Sequence, residues 1–203
     1  MTGIFGDVAA ESLRAFHDAR VGERQWAKSE TTQPAAGAWR WIEANHRFNS
    51  LLWDEEDLAR RSDVGDAEIA LNKRAIDGYN QQRNDAIERI DEALLARIED
   101  VTPAAGAWHN SETAGAMIDR LSILALKTLH MGRAATRADA TDAQRASWRD
   151  RHARLEIQRH DLERCLDTLL AEAAAGRAFW RVYRQFKMYN DAELNPYLRE
   201  HRR

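Results

Sequence analysis

DAEIALNKRAIDGYNQQRNDAIERIDEALLARIE, residues Asp66 to Glu99, is the stretch that decides the fold. Steps of three and four along it give Ile69, Lys73, Ile76, Asn80, Arg83, Ile87, Ile90, Leu94 and Ile98. At about 100° per residue these positions fall within roughly a 100° arc of one long helix. Most are branched aliphatics, as a packing seam requires, but Lys73, Asn80 and Arg83 interrupt its middle. A buried cation costs several kcal/mol unless it is paired. The seam therefore needs facing carboxylates or a ligand, and it predicts a helical bundle with a polar interior.

On its N-terminal side the pattern predicts a helix from about Ala38 to Arg61, with Trp41, Phe48, Leu52 and Ala59 on one face. Ser62 or Asp63 is the candidate cap of the seam helix. Upstream, Ile4, Val8 and Phe16 share one side of a short helix ending near Arg20, and Ser29 to Pro34 reads as a loop. On the C-terminal side the seam stops before Thr102-Pro103, and Asn110 or Ser111 caps the next helix. From Ala114 to Met131 that helix is apolar nearly all round, the signature of a central position. Its charges Asp119, Arg120 and Lys127 are accordingly expected to avoid a plain solvent-facing role. Thr141 or Asp142 caps a further helix to about Ala175, with His152 and Arg159 inside its Trp148–Leu155–Leu162–Leu166–Leu169 stripe. Ala178 to Met188 reads as one more short helix, and residues 189–203 as a turn-rich loop and a frayed basic tail. The expectation is one all-α domain over 1–203: an N-terminal helix and loop (1–37), an antiparallel four-helix-type bundle core (38–188) with short flanking helices, and a C-terminal loop and tail (189–203).

The totals narrow the function. In 203 residues there are 30 Lys and Arg against 33 Asp and Glu, a net charge of −3. No overall field draws nucleic acid or an anionic membrane. The single cysteine, Cys165, provides neither a disulfide framework nor a cysteine-based zinc site, and reads as packing beside Leu162 and Leu166. The N-terminus has early acids and no continuous apolar run, unlike a signal peptide, and no stretch approaches a membrane span. A cytoplasmic location follows as an expectation.

Several motifs taken together carry a resemblance. They are Asn45-His-Arg-Phe-Asn49 with Leu51-Leu-Trp-Asp-Glu-Glu-Asp-Leu-Ala-Arg60, Asn72-Lys-Arg-Ala-Ile-Asp77 through Asn84, Asn110-Ser-Glu-Thr113 with Ile118-Asp-Arg-Leu-Ser-Ile-Leu124, and Tyr183 to Asp191 with Asn195-Pro196. From roughly Trp39 to Pro196 the chain resembles the bacterial family of the domain of unknown function numbered 4254. The resemblance implies no particular reaction. It does imply a link to cell-surface polysaccharide assembly, with a sugar or sugar nucleotide as ligand and a glycosyltransferase as possible partner.

The polar positions form four groups. Asn45, Asn49, Glu56 and Arg60 lie along one shoulder of their helix, where amides, a carboxylate and a guanidinium can grip a hydroxylated or phosphorylated ligand, or simply join helices. Lys73, Asn80 and Arg83 face Glu55 or Glu56 across the seam, as an anion site or as a register-fixing ion network. Glu112, Asp119, Arg120 and Lys127 belong to the apolar helix and its start, where Ser111 to Thr113 provide either an anion-binding N-terminus or ordinary capping. Lys187, Tyr189, Asn190 and Asp191 end the last short helix as a lid or a helix stop.

Metal is disfavoured. Glu43-Ala-Asn-His46 has di-iron spacing but no second copy, and Glu55, Glu56, Glu88 and Asp91 match a magnesium-binding pyrophosphohydrolase set poorly. His152 is expected as a hydrogen-bonded core residue. The sequence thus predicts a protein that binds, or binds and transforms, a small anionic or sugar-derived metabolite without metal or other cofactor. Glu56 is the acid/base candidate and Lys73, Arg83 and Arg120 are charge stabilisers. The alternatives are a non-catalytic accessory protein of a glycosyltransferase and a magnesium-dependent nucleotide phosphohydrolase.

Overall fold

The computed structural model describes residues 3–23, 25–29 and 36–200. Most of the expected Ser29–Pro34 loop and the tail beyond Glu200 lie outside the described residues. The helices in order are α1 (Ala10–Gly22), α2 (Ala38–Leu58), α3 (Asp66–Leu95), α4 (Ala114–Ala135), α5 (Asp142–Ala174) and α6 (Pro196–Glu200), and the expected all-α bundle is present. Helix α4 packs against α1, α2, α3 and α5, as its all-round apolar surface predicts. Its Ile118, Leu121 and Met117 meet Ile42 of α2, Ile90 and Leu94 of α3, Leu13 of α1 and Leu166 and Leu169 of α5 in one core.

The α3–α4 contact is unusually close at Gly115. A Cβ there would lie 2.6 Å from the Ile87 carbonyl oxygen and 2.9 Å from the Asp91 carboxylate. The backbone N–H of Gly115 donates to Asp91 Oδ1 at 2.7 Å, so Asp91 caps the start of α4 from the neighbouring helix. Burial, partly offset by hydrogen bonds from Thr113 and the Gly115 N–H, lifts the Asp91 carboxyl to about 6. Gly115→Ala is expected to push the two backbones apart and destabilise by roughly 3 kcal/mol, a fall in Tm of about 6–12 °C in thermal denaturation. Gly78→Ala on α3, where a Cβ meets nothing within 4 Å, should instead stabilise by about 0.5–1 kcal/mol through helix propensity.

Several boundaries differ from expectation. The cap of α4 is Thr113, whose hydroxyl accepts from Ala116 N–H at 3.1 Å. Asn110 is engaged elsewhere, its own N–H donating to Phe179 O at 2.9 Å. Helix α3 starts from Gly65 without a side-chain cap, and Asp63 pairs with Arg61 instead of capping. The Thr141 cap of α5 is a full capping box with Gln144. Residues 178–188 form no α-helix. Gly176, at φ 71°, turns the chain out of α5. Ala178–Phe179 (β2) then pairs in parallel with Trp108–His109 (β1), which consumes the backbone groups a helical turn would use. Beyond it, Arg184 pairs with Glu88 and Glu92 of α3, strapping the segment to the bundle. Cys165 is exposed on α5 rather than packed, and Ile4 is exposed whereas Val8 is buried.

Helix α1 is anchored to α5. Asp167 Oδ1 accepts from Ala10 N–H at 2.9 Å and Arg14 grips Glu163 with two hydrogen bonds, at 2.7 and 3.0 Å. Among the described residues no helix is long and apolar enough to cross a membrane.

Candidate functional site

The buried face of α2 is Ala38, Ile42, Asn45, His46, Asn49 and Leu52. It turns three polar side chains toward α4, and all three find partners there. Asn45 Nδ2 and Asn49 Nδ2 each donate to Asp119 Oδ1 at 2.8 Å, and Asn49 Nδ2 also reaches Ser122 Oγ at 3.0 Å. His46 Nδ1 and Ser122 Oγ are hydrogen-bonded at 2.7 Å. From α3, Arg83 Nε approaches Asp119 Oδ1 to 3.9 Å, a charge contact without a hydrogen bond. A carboxylate with two amides and a guanidinium around it satisfies the condition for burying charge in a helical core.

The polar core continues past His46. Its ring packs against His17 of α1 at a centroid distance of 4.6 Å, with Phe16 and Trp26 around it. Both histidines are completely buried. Burial first, and then the positive charge of Arg159, hold His46 at about 3; burial first, and then His46 and Arg159, hold His17 well below the usual imidazole range, so both rings are neutral at pH 7. His17 and Ser122 are not among the expected site residues, and His46 enters the sequence reading through the Asn45–Asn49 motif and as half of a metal motif, without a binding role.

The network opens at one end into a cleft of about 330 Å³. Asn49, Trp53, Glu56, Arg60 and Arg83 line it, with Leu52, Ile123 and Leu126 as its apolar floor. Two buried donors at this cleft, Arg83 Nε and Trp53 Nε1, have no hydrogen-bond partner among the described residues. Trp53 stacks on His130 at 4.4 Å. Glu56 is held by Arg60 at 2.6 Å and lies 3.7 Å from Lys73. The Arg60 hydrogen bond foremost, and then the charge of Lys73, keep its carboxyl below the ordinary range. At neutral pH Glu56 is thus an acceptor, poorly suited to donating a proton.

The remaining expected positions are dispersed. Lys73 is not in the seam's interior: its side chain is 56 % exposed, because a four-carbon stem carries the ammonium out past the aliphatic edge. Asn80 is half-buried on α3. Arg120 and Lys127 are exposed, contrary to expectation, since they share a strip of α4 that opens on a groove beside α5. With Glu112, which pairs with Arg120 at 2.7 Å, they line a separate groove of about 670 Å³ between α4 and α5 that shares Ile123 with the first cleft. Lys187 and Asn190 belong to the C-terminal segment, Asn190 exposed in a short 3-10 turn (Met188–Asn190). His152 is half-buried at a cavity edge rather than in the core.

The four acids of the pyrophosphohydrolase pattern do not converge. Glu55 accepts from Asn72 at 2.7 Å, Glu56 pairs with Arg60, Glu88 with Arg184, and Asp91 caps α4. Among the described residues no group of three or more His, Cys, Asp or Glu is placed to hold a metal ion.

No curated protein and no solved structure matches this chain. One family model does match, over residues 39–182, which takes in α2 to α5, the Asn45–Asn49–Asp119–Ser122 network and the cleft. With most of its length covered, the chain belongs to the family described as protein of unknown function, DUF4254.

Proposed function

We propose that the cleft at Arg83 and Trp53 binds a small, oxygen-rich metabolite, sugar-derived or anionic. The observation that carries this reading is that two residues lining the cleft, Arg83 and Trp53, each hold a buried N–H donor, Nε and Nε1, with no hydrogen-bond partner among the described residues. Buried donors are costly to leave unmade, and hydroxyl or phosphate oxygens would satisfy both. Arg60 adds further donors, Glu56 accepts from ligand hydroxyls, and the indole offers an apolar face to a pyranose ring. The volume suits a hexose phosphate. If a reaction occurs there, Glu56 is the base and Arg83 the group that stabilises charge, with Lys73 beside Glu56.

Titration of hexose phosphates and nucleotide sugars by calorimetry tests the proposal. Saturable binding is expected for at least one of them, weakened roughly tenfold or more by Arg83→Leu and by Trp53→Phe. Because the Arg83–Asp119 contact is 3.9 Å long, Arg83→Leu should cost only about 1 kcal/mol in stability. Binding that is absent throughout, or unaltered in both variants, overturns the reading.

A second reading, an accessory protein docked on a glycosyltransferase, draws on a different surface. Phe186 is 85 % exposed, with Tyr197, Met188 and Leu194 exposed nearby in sequence, an apolar stretch of the kind interfaces cover. Phe186→Ser with Met188→Ser would abolish such docking and leave the cleft's ligand affinity unchanged.

A further inference from the structure

The other end of the polar core carries a second set of unmet groups. Arg159 of α5 is 2 % exposed. Its Nη1 pairs with Asp18 at 2.7 Å and its Nε lies 3.6 Å from Glu163, yet neither Nε nor Nη2 makes a hydrogen bond among the described residues. Those two nitrogens form one edge of the guanidinium, the edge that grips a carboxylate or phosphate through parallel N–H···O bonds. Thr128 of α4 is also buried, and its hydroxyl has no partner among the described residues. Arg159 and Thr128 line the same cavity of about 440 Å³ between α1, α4 and α5, together with Asp18, Gly132, Arg133 and His152. At Gly132 a side chain would crowd this space, since a Cβ would stand 3.3 Å from His152 Nε2.

We infer that this cavity is an oxyanion site, taking a phosphate or carboxylate group on the Nε/Nη2 edge of Arg159 and the Thr128 hydroxyl, with Arg133 at its wall. The charges allow for it. Asp18 pairs with Arg159, while Glu163 and the cavity-lining Glu156 are both held by Arg14, which leaves the Nε/Nη2 edge of Arg159 without a hydrogen-bonded acceptor. An arriving anion meets Arg159 and Arg133 with donors to spare. This site is separate from the Arg83 cleft and does not depend on what binds there.

Inorganic phosphate and acetate, titrated separately into the full chain at constant ionic strength held with sodium chloride, test the inference and separate the two sources. The readouts are the Arg159 Nε–Hε signal and the Gly132 amide in nitrogen–proton NMR spectra. One of the anions is expected to shift both signals saturably. Arg159→Gln would strand Asp18 and Glu163, so the decisive variant is Thr128→Val, which keeps the shape and removes the hydroxyl. It should weaken binding about tenfold while the spectrum stays that of a folded protein. Absence of a saturable shift with either anion, or equal affinity in Thr128→Val, overturns the inference.

Discussion

Replacing Asp119 by alanine is expected to destabilise the protein by roughly 3–5 kcal/mol, among the largest effects of any single substitution in the core. The carboxylate is buried, accepts from Asn45 and Asn49 on one oxygen at 2.8 Å each, and faces Arg83. Removing it strands two amide donors and leaves the half-buried Arg83 guanidinium without its facing carboxylate. The cost is therefore mainly desolvation left uncompensated, rather than the energy of any one bond. Asp119→Asn is a sharper test, because it keeps the volume but sets a neutral amide against two amide donors. It should fall between wild type and alanine. Urea denaturation at pH 7 checks both: the midpoint moves while the m-value stays constant. In a double-mutant cycle, Asn45→Ala with Asp119→Ala should cost less than the sum of the singles, since the second substitution removes a partner already lost.

Acid is the second large lever. His17 and His46 are neutral and fully enclosed in the folded state, whereas in the unfolded chain both titrate near 6.5. Below that pH the unfolded state binds more protons than the folded state, so stability falls as pH falls, until the folded values are reached. Between pH 7 and pH 5 the His46 ring contributes a loss of about 2 kcal/mol, and His17 adds a loss of the same sign. Asp91 acts in the opposite sense. Its raised pKa of about 6 means the folded state takes up the extra proton, which returns about 1 kcal/mol over the same interval. The histidine loss outweighs the Asp91 gain, so the expected net effect is a fall in stability, read from urea midpoints at the two pH values. His46→Gln and His17→Gln should each flatten the pH dependence. A pH dependence unchanged in both variants would show that some other group controls it.

The architecture was legible where periodicity and burial coincide. The 66–99 stretch reads as one long helix, and the all-round apolar face of 114–131 marks the central one. The phase of α2 was harder to read. Trp41 and Phe48 look like core markers, yet both are only half-buried, because large rings cover the flank of an interface as readily as its centre. The true centre runs through Ile42, Asn45, His46 and Asn49. Asn45 and Asn49 were recognised as polar positions of interest, but the Trp41–Phe48 face placed His46 on the outside. Asp119 could be singled out because a lone acid on an apolar helix needs a partner. Ser122 could not, because a serine fits a core and a surface alike. The seam's Lys73 and the strand-like 178–179 fail for related reasons. Side-chain reach decides the first, and a backbone partner 70 residues away in sequence decides the second.

The anchoring of α1 has a consequence for synthesis. The acids that receive it, Glu163 and Asp167, lie about 150 positions downstream of Arg14 and Ala10. On the ribosome α1 therefore emerges long before its α5 anchor exists, and until then His46 of α2 and the apolar face of α4 are the partners within its reach. Closing so long a loop is slow but adds little to its entropy beyond that of a shorter one. The anchoring of α1 through Arg14 and Ala10 is thus completed only once α5 has been made.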